Sequence, residues 1–278
     1  MSSQLFGRSC RLTLGTTQIE CFDATNAGLA ITFHVKKNLK PEPNAVEIKV
    51  WNLAQATRKS VETPKTVPVK LEVGYGGDYF TLFVGQLHSA HSLVDGPDIV
   101  TTISGGDSEA GLLASRTLVQ VPASASPAQI LNFAAQSLVA AGIWAGNLGS
   151  LAPSASTGGP ARTLHGVASK VFGQVARANG LEWSVQDGAL QVLPIGGTLG
   201  ATAVRLSSDS GMIGSPTVDT KGILSVRSLI QPDLFPGRPV IVDGATLQGA
   251  YRIEEADFVG NTQGDGPWYA NLKARKWQ

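Results

Sequence analysis

The sequence predicts a mainly β protein with a small α/β insert between two β regions. Three observations support this fold class. Thirty-two glycines and fifteen prolines among 278 residues favour turns and short strands over long helices. Apolar and polar residues alternate with a period of two at both ends of the chain, and the middle follows a helical period. We therefore expect three domains, 1–107, 108–200 and 201–278.

The first β region begins with a predicted hairpin in the stretch "RLTLGTTQIE". Gly15 and Thr16 form its two-residue loop, with glycine first as a type II′ turn prefers. This register pairs Cys10 with Cys21 on one face of the hairpin. A chain that folds in cytoplasm keeps its thiols reduced, so we expect both cysteines to be free.

Alternating strands continue up to Asp107. The stretches "GLAITFHV", "VPVKLEVGY", "YFTLFVGQLHSAHSL" and "DIVTTISGGD" are separated by Gly-Asp and Asp-Gly-Pro turn sequences. Strands at such even spacing predict a small closed or nearly closed barrel.

The stretch "EPNAVEIKVWNLAQATRKSVE", residues 42–62, places a strand directly before a short helix. The strand alternates between buried and exposed positions up to Trp51. Asn52 is the expected N-cap, and the helix carries Leu53, Thr57 and Val61 on one side.

The middle of the chain predicts two helices. In "SPAQILNFAAQSLVAAG", Ser126 is the N-cap, Gln129 completes a capping box, and Gly142 ends the helix. The second helix is expected from about Thr163 to Gly180. Between them, residues 146–160 are small and polar, which predicts a mobile loop.

A second hairpin and further strands complete the chain. "LEWSVQDGALQVL" predicts a type I′ turn at Asp187-Gly188, with Trp183 packed against the helices of the insert. From about Ala201 the strands return, in a region of only about 75 residues. Strands from residues 108–123, or from a neighbouring chain, would complete its barrel.

Composition and sequence motifs argue against several functional classes. A formal charge of +1 does not provide the clustered basic surface of a dedicated nucleic-acid binder. The chain has no predicted signal peptide or membrane-spanning helix. No G-x-S-x-G elbow, H-E-x-x-H or C-x-x-C motif occurs. We expect no catalytic residue, no cofactor and no metal site.

Two stretches carry a resemblance to a known family. The first is "KKNLKPEPNAVEIKVWNLAQATRKSVE", followed by "VKLEVGYGGDYFTLFVGQL". The second is "GMIGSPTVDTKGILSVRSLIQPDLFPGRPVIVD", followed by "GAYRIEEADFVGNTQGDGPWYANLKA". Both resemble the baseplate hub proteins of tailed bacteriophages, akin to the late control protein D group and the hubs of contractile injection machines. The stretch "LHGVASKVFGQVARANGLEWSVQDGALQVLP" resembles the α/β insert of such hubs.

This resemblance implies a structural role without catalysis. The two β regions would be tail-tube-like barrels, and a homotrimer would form a pseudo-sixfold ring in the virion tail baseplate. The ring would join the tail tube or distal tail protein to a central spike or tip protein, with the tape measure protein as a further partner. DNA would pass through without specific binding. Assembly would take place in the host bacterial cytoplasm, with no membrane insertion.

The subunit contacts of this ring are expected at two places. The first is the helix on the barrel rim, with Trp51, Leu53, Thr57 and Val61. The second is the strand that contains Val226 and Ile230.

Two other functions are compatible with the sequence. The chain could be a cell-wall hydrolase associated with a phage tail, because partner carboxylates cannot be recognised in one sequence. It could also be a β-rich carbohydrate-binding module with Trp144, Trp183 and Trp268 as sugar platforms.

Overall fold

The computed structural model describes residues 7–21, 28–63, 67–148 and 160–277. The fold is mainly β with an α/β insert, as predicted. Within these ranges the strands are β1 (Arg8–Leu14), β2 (Thr17–Cys21), β3 (Ile31–Asn38), β4 (Ala45–Trp51), β5 (Pro68–Tyr75), β6 (Asp78–Asp95), β7 (Asp98–Gly106), β8 (Arg116–Val121), β9 (Arg162–Val167), β10 (Leu181–Gln186), β11 (Ala189–Pro194), β12 (Val204–Ser207), β13 (Met212–Val218), β14 (Ile223–Leu229), β15 (Pro239–Asp243), β16 (Gln248–Asn261) and β17 (Trp268–Lys276). The α-helices are α1 (Gln55–Glu62), α2 (Glu109–Ala114), α3 (Pro127–Ala140) and α4 (Ala168–Ala178).

The described residues divide into two compact units. The β unit comprises residues of 1–38, 44–106 and 198–278, and the insert unit comprises 39–43 and 107–197. Each unit has its own buried apolar core. The longest helix of the described chain, α3, has 14 residues, and none is long and apolar enough to cross a bilayer.

The β unit is built on one large sheet. Its strands follow the order β13-β14-β17-β16-β3-β4-β7-β6-β5-β1-β2. In addition, β15 pairs with β16, and β12 pairs with β15 in parallel. The two β regions of the sequence are therefore joined by the antiparallel pairing of β3 with β16.

Alternation of apolar residues explains which side of the sheet is buried. Ile31, Phe33 and Val35 of β3 are buried, as the period-two pattern predicts. Each such side chain stabilises the fold by roughly 1.5–3 kcal/mol relative to an exposed position. Lys37 continues the same buried face, and its Nζ lies 4.5 Å from the centre of the Phe235 ring.

The first hairpin has the predicted register. The strands β1 and β2 pair Cys10 with Cys21 and are joined by Gly15 and Thr16, with φ of Gly15 at 60°. The pairing places the two cysteine Cα atoms opposite each other. The reduced state of both thiols stays a prediction.

The capping box of α3 is confirmed. The Oγ of Ser126 accepts a hydrogen bond from the backbone N–H of Gln129, whose side chain accepts one from the N–H of Ser126. Gly142 lies just after the helix with φ of 92°, a conformation that favours glycine.

The predicted start of the second helix is wrong. Residues Arg162–Val167 form β9, which pairs with β8, and α4 begins only at Ala168. The strand pairing outweighs the helical spacing of the apolar residues here. The stretch 108–123, a possible source of strands for the second β region, contains α2 and β8, and β8 pairs with β9 of the insert. Most of the predicted mobile loop, 149–159, lies outside the described residues.

The hairpin of β10 and β11 has the predicted register and turn. Val185 pairs with Leu190, and Asp187 and Gly188 have φ of 52° and 82°, as a type I′ turn requires. Trp183 is buried, with its ring edge-on to Phe172 at a centroid distance of 5.0 Å.

Candidate subunit interface

The β unit contains the same five-strand arrangement twice. The first repeat is β3–β7 and the second is β13–β17. In each repeat the first two strands pair with each other, and the second strand also pairs with the fifth. The third strand pairs with the fourth, and the fourth with the fifth. All these pairs are antiparallel.

Both repeats have a bulge at the same place. The pairing of β6 with β7 shifts register between Leu87 and Ser89, and that of β16 with β17 shifts between Ile253 and Glu255. A bulge bends a strand locally and increases its twist, so it marks a defined position in a sheet.

The shared bulge aligns the two repeats. Leu87 and Ile253 are the last paired residues before the shift, and both are buried. Each of these two residues pairs with a residue of the fifth strand, which in turn pairs with a residue of the second strand. Followed across the sheet in this way, Val46 of β4 is equivalent to Leu224 of β14. These two are also buried, so the core face is the same in both repeats.

The third strands of the two repeats carry a short sequence similarity that is not among the sequence predictions. Residues 68–72 are "PVKLE", and residues 239–243 are "PVIVD". Pro68 pairs with Gln86 and Pro239 with Arg252, which are equivalent positions on the fourth strands. This similarity is the sequence signal by which the repeat could have been found.

The repeats are joined where β3 pairs with β16 beyond its bulge. Val35 lies opposite Phe258, and both are fully buried. His34 Nε2 is hydrogen bonded to Asp257 Oδ1 on the other face. A Cβ added to Gly260 would lie 2.1 Å from the Phe33 ring, so this close approach requires glycine.

The equivalent strands at the far ends of the repeats are open. Among the described strands, β13 pairs with β14 alone, and residues 89–95 of β6 pair with β7 alone. Both edges carry exposed apolar side chains. Leu93 is 65% and Val94 78% exposed on β6, and Val218 is 44% exposed on β13. Unpaired edges of this kind bind other strands readily.

The edge of β13 also has features that restrict pairing. Its register shifts between Ile213 and Thr217, and the segment contains Pro216, which has no N–H to donate. Such features limit indiscriminate strand addition. The regular end of the strand, Thr217 and Val218, is therefore the part suited to a specific partner.

Solved structures with this fold come from phage tails and a secretion system. A 43 kDa tail protein from the prophage MuSo2 of Shewanella oneidensis has a TM-score of 0.64 at 12% identity, over 97% of both chains. A tail protein of Neisseria meningitidis MC58 gives 0.64 and 12%, over 98% of this chain and 97% of that one. The chain has the fold of phage tail proteins.

A third solved structure with this fold belongs to a secretion system. The E. coli c3393 protein, a type VI secretion component described as similar to T4 tail proteins gp27 and gp5, has a TM-score of 0.62 at 13% identity. It matches 96% of this chain and 77% of its own. No protein-family model matches the sequence. No curated protein matches it either.

The structure places most of the predicted interface residues in the core of the tail-protein fold. Leu53, Val61, Val226 and Ile230 are at most 5% exposed and belong to the same buried core. These four side chains are covered by their own chain, and their role at an interface stays a prediction.

Trp51 and Thr57, the other two predicted interface residues, are half-buried. They retain accessible surface at the start and middle of the rim segment. Their role at an interface stays a prediction.

The predicted role of Asn52 as helix cap is wrong. Its backbone has φ of 55°, and α1 begins later, after Ala54, without a side-chain cap. Asn52 Nδ2 donates to Asp98 Oδ1 at 2.7 Å, and its Oδ1 accepts from the N–H of Ile99 at 3.0 Å. Asn52 therefore ties the rim segment to the β6–β7 turn, beside the exposed Leu93 and Val94.

The described part of the chain offers no cluster of side chains suited to a metal ion. No group of three or more His, Cys, Asp or Glu side chains there could hold a metal ion. His88 and His91 are exposed on β6, and His165 is exposed on β9. The absence of catalytic, cofactor and metal residues stays a prediction for the chain as a whole.

The three tryptophans considered as sugar platforms have different environments. Trp183 and Trp268 are 6% and 3% exposed, whereas Trp144 is 76% exposed. A sugar stacks on the accessible face of an aromatic ring, so Trp183 and Trp268 cannot serve in this conformation. The structure leaves Trp144 as the accessible ring of the three.

Proposed function

We propose that this protein is a structural component of a phage tail, namely a baseplate hub that works as a homotrimeric ring. The observation that carries this proposal is the doubled five-strand arrangement with one open edge at each end. Three chains with two repeats each provide six similar modules. Such a ring would match a sixfold tail tube on one side and a threefold spike or tip on the other.

The pairing of β3 with β16 within the chain is the template for the proposed contact between chains. If β13 of one subunit meets β6 of the next as β3 meets β16, Val218 takes the place of Val35 and Ser92 that of Phe258. Thr217 would then lie opposite Leu93. The contact is head to tail, and such contacts close into a ring when the rotation is right.

The differences between the repeats fit an adaptor between two symmetries. The link from β4 to β5 contains α1, whereas the corresponding link 230–238 contains no α-helix. A ring of three chains would therefore alternate modules with and without a rim helix. All six modules would share the arrangement of strands. The three modules with a rim helix would differ from the three without one.

The charges of the polar sheet face suit a passage for DNA. Lys273 Nζ lies 2.8 Å from Glu255 Oε2, and Lys49 Nζ lies 3.7 Å from Glu47 Oε1. Cations already paired with carboxylates attract phosphates weakly. We propose that this face lines the channel, that DNA passes without specific binding, and that the protein has no enzymatic activity.

The remaining partners follow from the same role. The tail tube or distal tail protein and the central spike or tip protein would bind opposite faces of the ring, with the tape measure protein as a further partner. The protein would act in the tail baseplate of the virion after assembly in the bacterial cytoplasm.

A disulfide trap tests the proposed joint. We expect chains with Leu93→Cys and chains with Thr217→Cys to form covalent dimers on mild oxidation when mixed. The chain carrying both substitutions should form covalent trimers. Each single variant alone, and Leu118→Cys on the exposed face of β8, controls for the native cysteines and for random collisions.

Light scattering coupled to size exclusion gives the mass of the unmodified protein, which is expected to be that of three chains. If the isolated chain is a monomer, the trap is repeated with tube and spike proteins present. A monomer that gives no specific cross-link under either condition would refute the ring.

A further inference from the structure

The insert unit contains an open groove of about 720 Å³ along the outer face of α4. Lys170, Gly173 and Arg177 form the helical wall, and Trp183 lies at the floor. The segment 39–41 and Ile195 complete the lining.

The amphipathic pattern of α4 explains why polar residues line the groove. Val171, Phe172 and Val175 are buried in the insert core, so Lys170 and Arg177 lie on the other side of the helix.

Gly173 brings the floor of the groove close to the helix. A Cβ added there would lie only 3.1 Å from Nε1 of Trp183, so glycine leaves the edge of the indole uncovered. The indole of Trp183 therefore contributes its edge to the lining of the groove.

The groove carries more positive than negative charge. Lys170 and Arg177 are exposed, and neither has an ion pair with any described residue. Glu182 is the carboxylate of the lining, and its Oε1 accepts a hydrogen bond from the N–H of Gly196 at 3.1 Å. Lys40 also lines the groove, but its Nζ lies 4.0 Å from Glu42 Oε1, so Lys170 and Arg177 provide most of the charge that a ligand would meet.

The distance between these two cations determines how far apart two negative charges must lie on a ligand that binds both. Lys170 and Arg177 are seven residues apart on a helix, which corresponds to about 10.5 Å along its axis. A chain in the polyproline II conformation rises about 3.1 Å per residue with three residues per turn, so residues i and i+3 lie on one side about 9 Å apart. Two carboxylates at that spacing can reach both cations.

We propose that the groove binds an extended acidic segment of a partner protein, with two carboxylates three residues apart and an apolar side chain between them. The apolar side chain would contact Ile195, which is 62% exposed, and the edge of Trp183. The apolar lining favours a peptide over a nucleic acid, whose backbone offers charge without such a side chain. The proposal does not depend on ring formation and holds equally for a monomer.

Fluorescence anisotropy with the full chain tests the proposal. The probe is a fluorescein-labelled peptide, Gly-Ser-Glu-Pro-Leu-Glu-Ser-Gly, at low salt, where ion pairs contribute most. We expect saturable binding, at least about tenfold weaker for the double variant Lys170→Glu with Arg177→Glu. The control variant, Arg116→Glu with Arg162→Glu, makes the same charge change on exposed residues of β8 and β9 and should bind within about twofold of the original protein.

Two peptide controls keep the test independent of variant folding. Replacing both glutamates by glutamine should abolish binding to the unmodified protein, and replacing leucine by serine should weaken it several-fold. Absence of saturable binding up to about 1 mM would overturn the proposal. Equal losses in the two double variants, or tighter binding of an oligonucleotide that depends on Lys170 and Arg177, would overturn it as well.

Discussion

The fourth strands of the two repeats, β6 and β16, begin alike and end differently. Both carry a bulge after a buried residue, Leu87 or Ile253. Beyond the bulge, β16 is covered by β3, and its Phe258 is fully buried. The same part of β6 has no second strand partner among the described residues, and Val94 is 78% exposed there. One strand is covered by a second strand of the same chain, and its counterpart leaves an open edge.

The largest effect on stability should come from disrupting the pairing of β3 with β16 within the chain. Gly260→Val would place side-chain atoms inside the Phe33 ring, because a Cβ alone would lie 2.1 Å from it. We expect the free energy of unfolding to fall by about 3 kcal/mol. Urea unfolding followed by circular dichroism measures it.

Gly200→Ala is the matched control, because a Cβ at that position has no atom within 4 Å. It should change stability by less than about 0.5 kcal/mol. If Gly260→Val is equally harmless, β3 and β16 are not packed as described.

A second contact between the repeats predicts a pH dependence. Tyr75 of β5 lies edge-on to Trp268 of β17 at 6.4 Å, and burial raises the pKa of its hydroxyl to about 12. The folded pKa lies above the unfolded value of about 10, so the stabilisation is complete below pH 10 and is lost as the pH rises towards 12. The loss should reach about 2–3 kcal/mol.

Tyr75→Phe should remove that alkaline loss. Urea midpoints measured from about pH 8 to 12 test this. Tyr269→Phe, at a half-buried tyrosine on the same strand as Trp268, should leave the loss unchanged. A Tyr75→Phe protein that loses stability as steeply as the original would place the titrating group elsewhere.

The open edge of β6 can be altered without touching the core. Leu93→Asp with Val94→Asp should raise the dissociation constant of the trimer at least about tenfold, because the contact would bury the unpaired charge at position 94 and bring the one at position 93 against the neighbouring strand. The stability of the monomer should change by less than about 0.5 kcal/mol, since both side chains are exposed. Leu118→Asp, at a residue that is 79% exposed on the insert, is the control. Unchanged trimers in the edge variant would exclude this edge from the interface.

The smallest effect is expected at Asn52. Asn52→Gly keeps the left-handed backbone and removes two hydrogen bonds to the β6–β7 turn, a loss of about 1–2 kcal/mol. Asn52→Ala should cost somewhat more, because alanine tolerates φ of 55° poorly. Thermal unfolding distinguishes the two variants. Equal effects would mean that the backbone conformation adds nothing to the hydrogen bonds.

Local features of the fold could be predicted from sequence because their causes are local. The turns at Gly15-Thr16 and Asp187-Gly188 fixed two hairpin registers, and Ser126 with Gln129 fixed the start of α3. In each case the residues that determine the structure are neighbours in the chain. The alternating strands also showed correctly which residues face the core.

Features that depend on distant pairing could not be predicted in this way. His34 and Asp257 meet across 223 residues, and nothing in either strand specifies the other. Asn52 resembles a helix cap in sequence but binds a turn 46 residues away. The predicted interface residues follow from the expected positions of a rim helix and a strand in a ring, and neither expectation shows that Leu53, Val61, Val226 and Ile230 are buried in their own core.

The shared bulge bears on the ancestry of the protein. A bulge requires one extra residue in a strand, and here it occurs at the same position in both repeats. One insertion in an ancestral five-strand gene, followed by duplication, accounts for both copies with a single event. Such an ancestor would have assembled from six identical chains. In the proposed trimer, fusion of two copies would have halved the number of subunits and would have allowed one copy to change without the other.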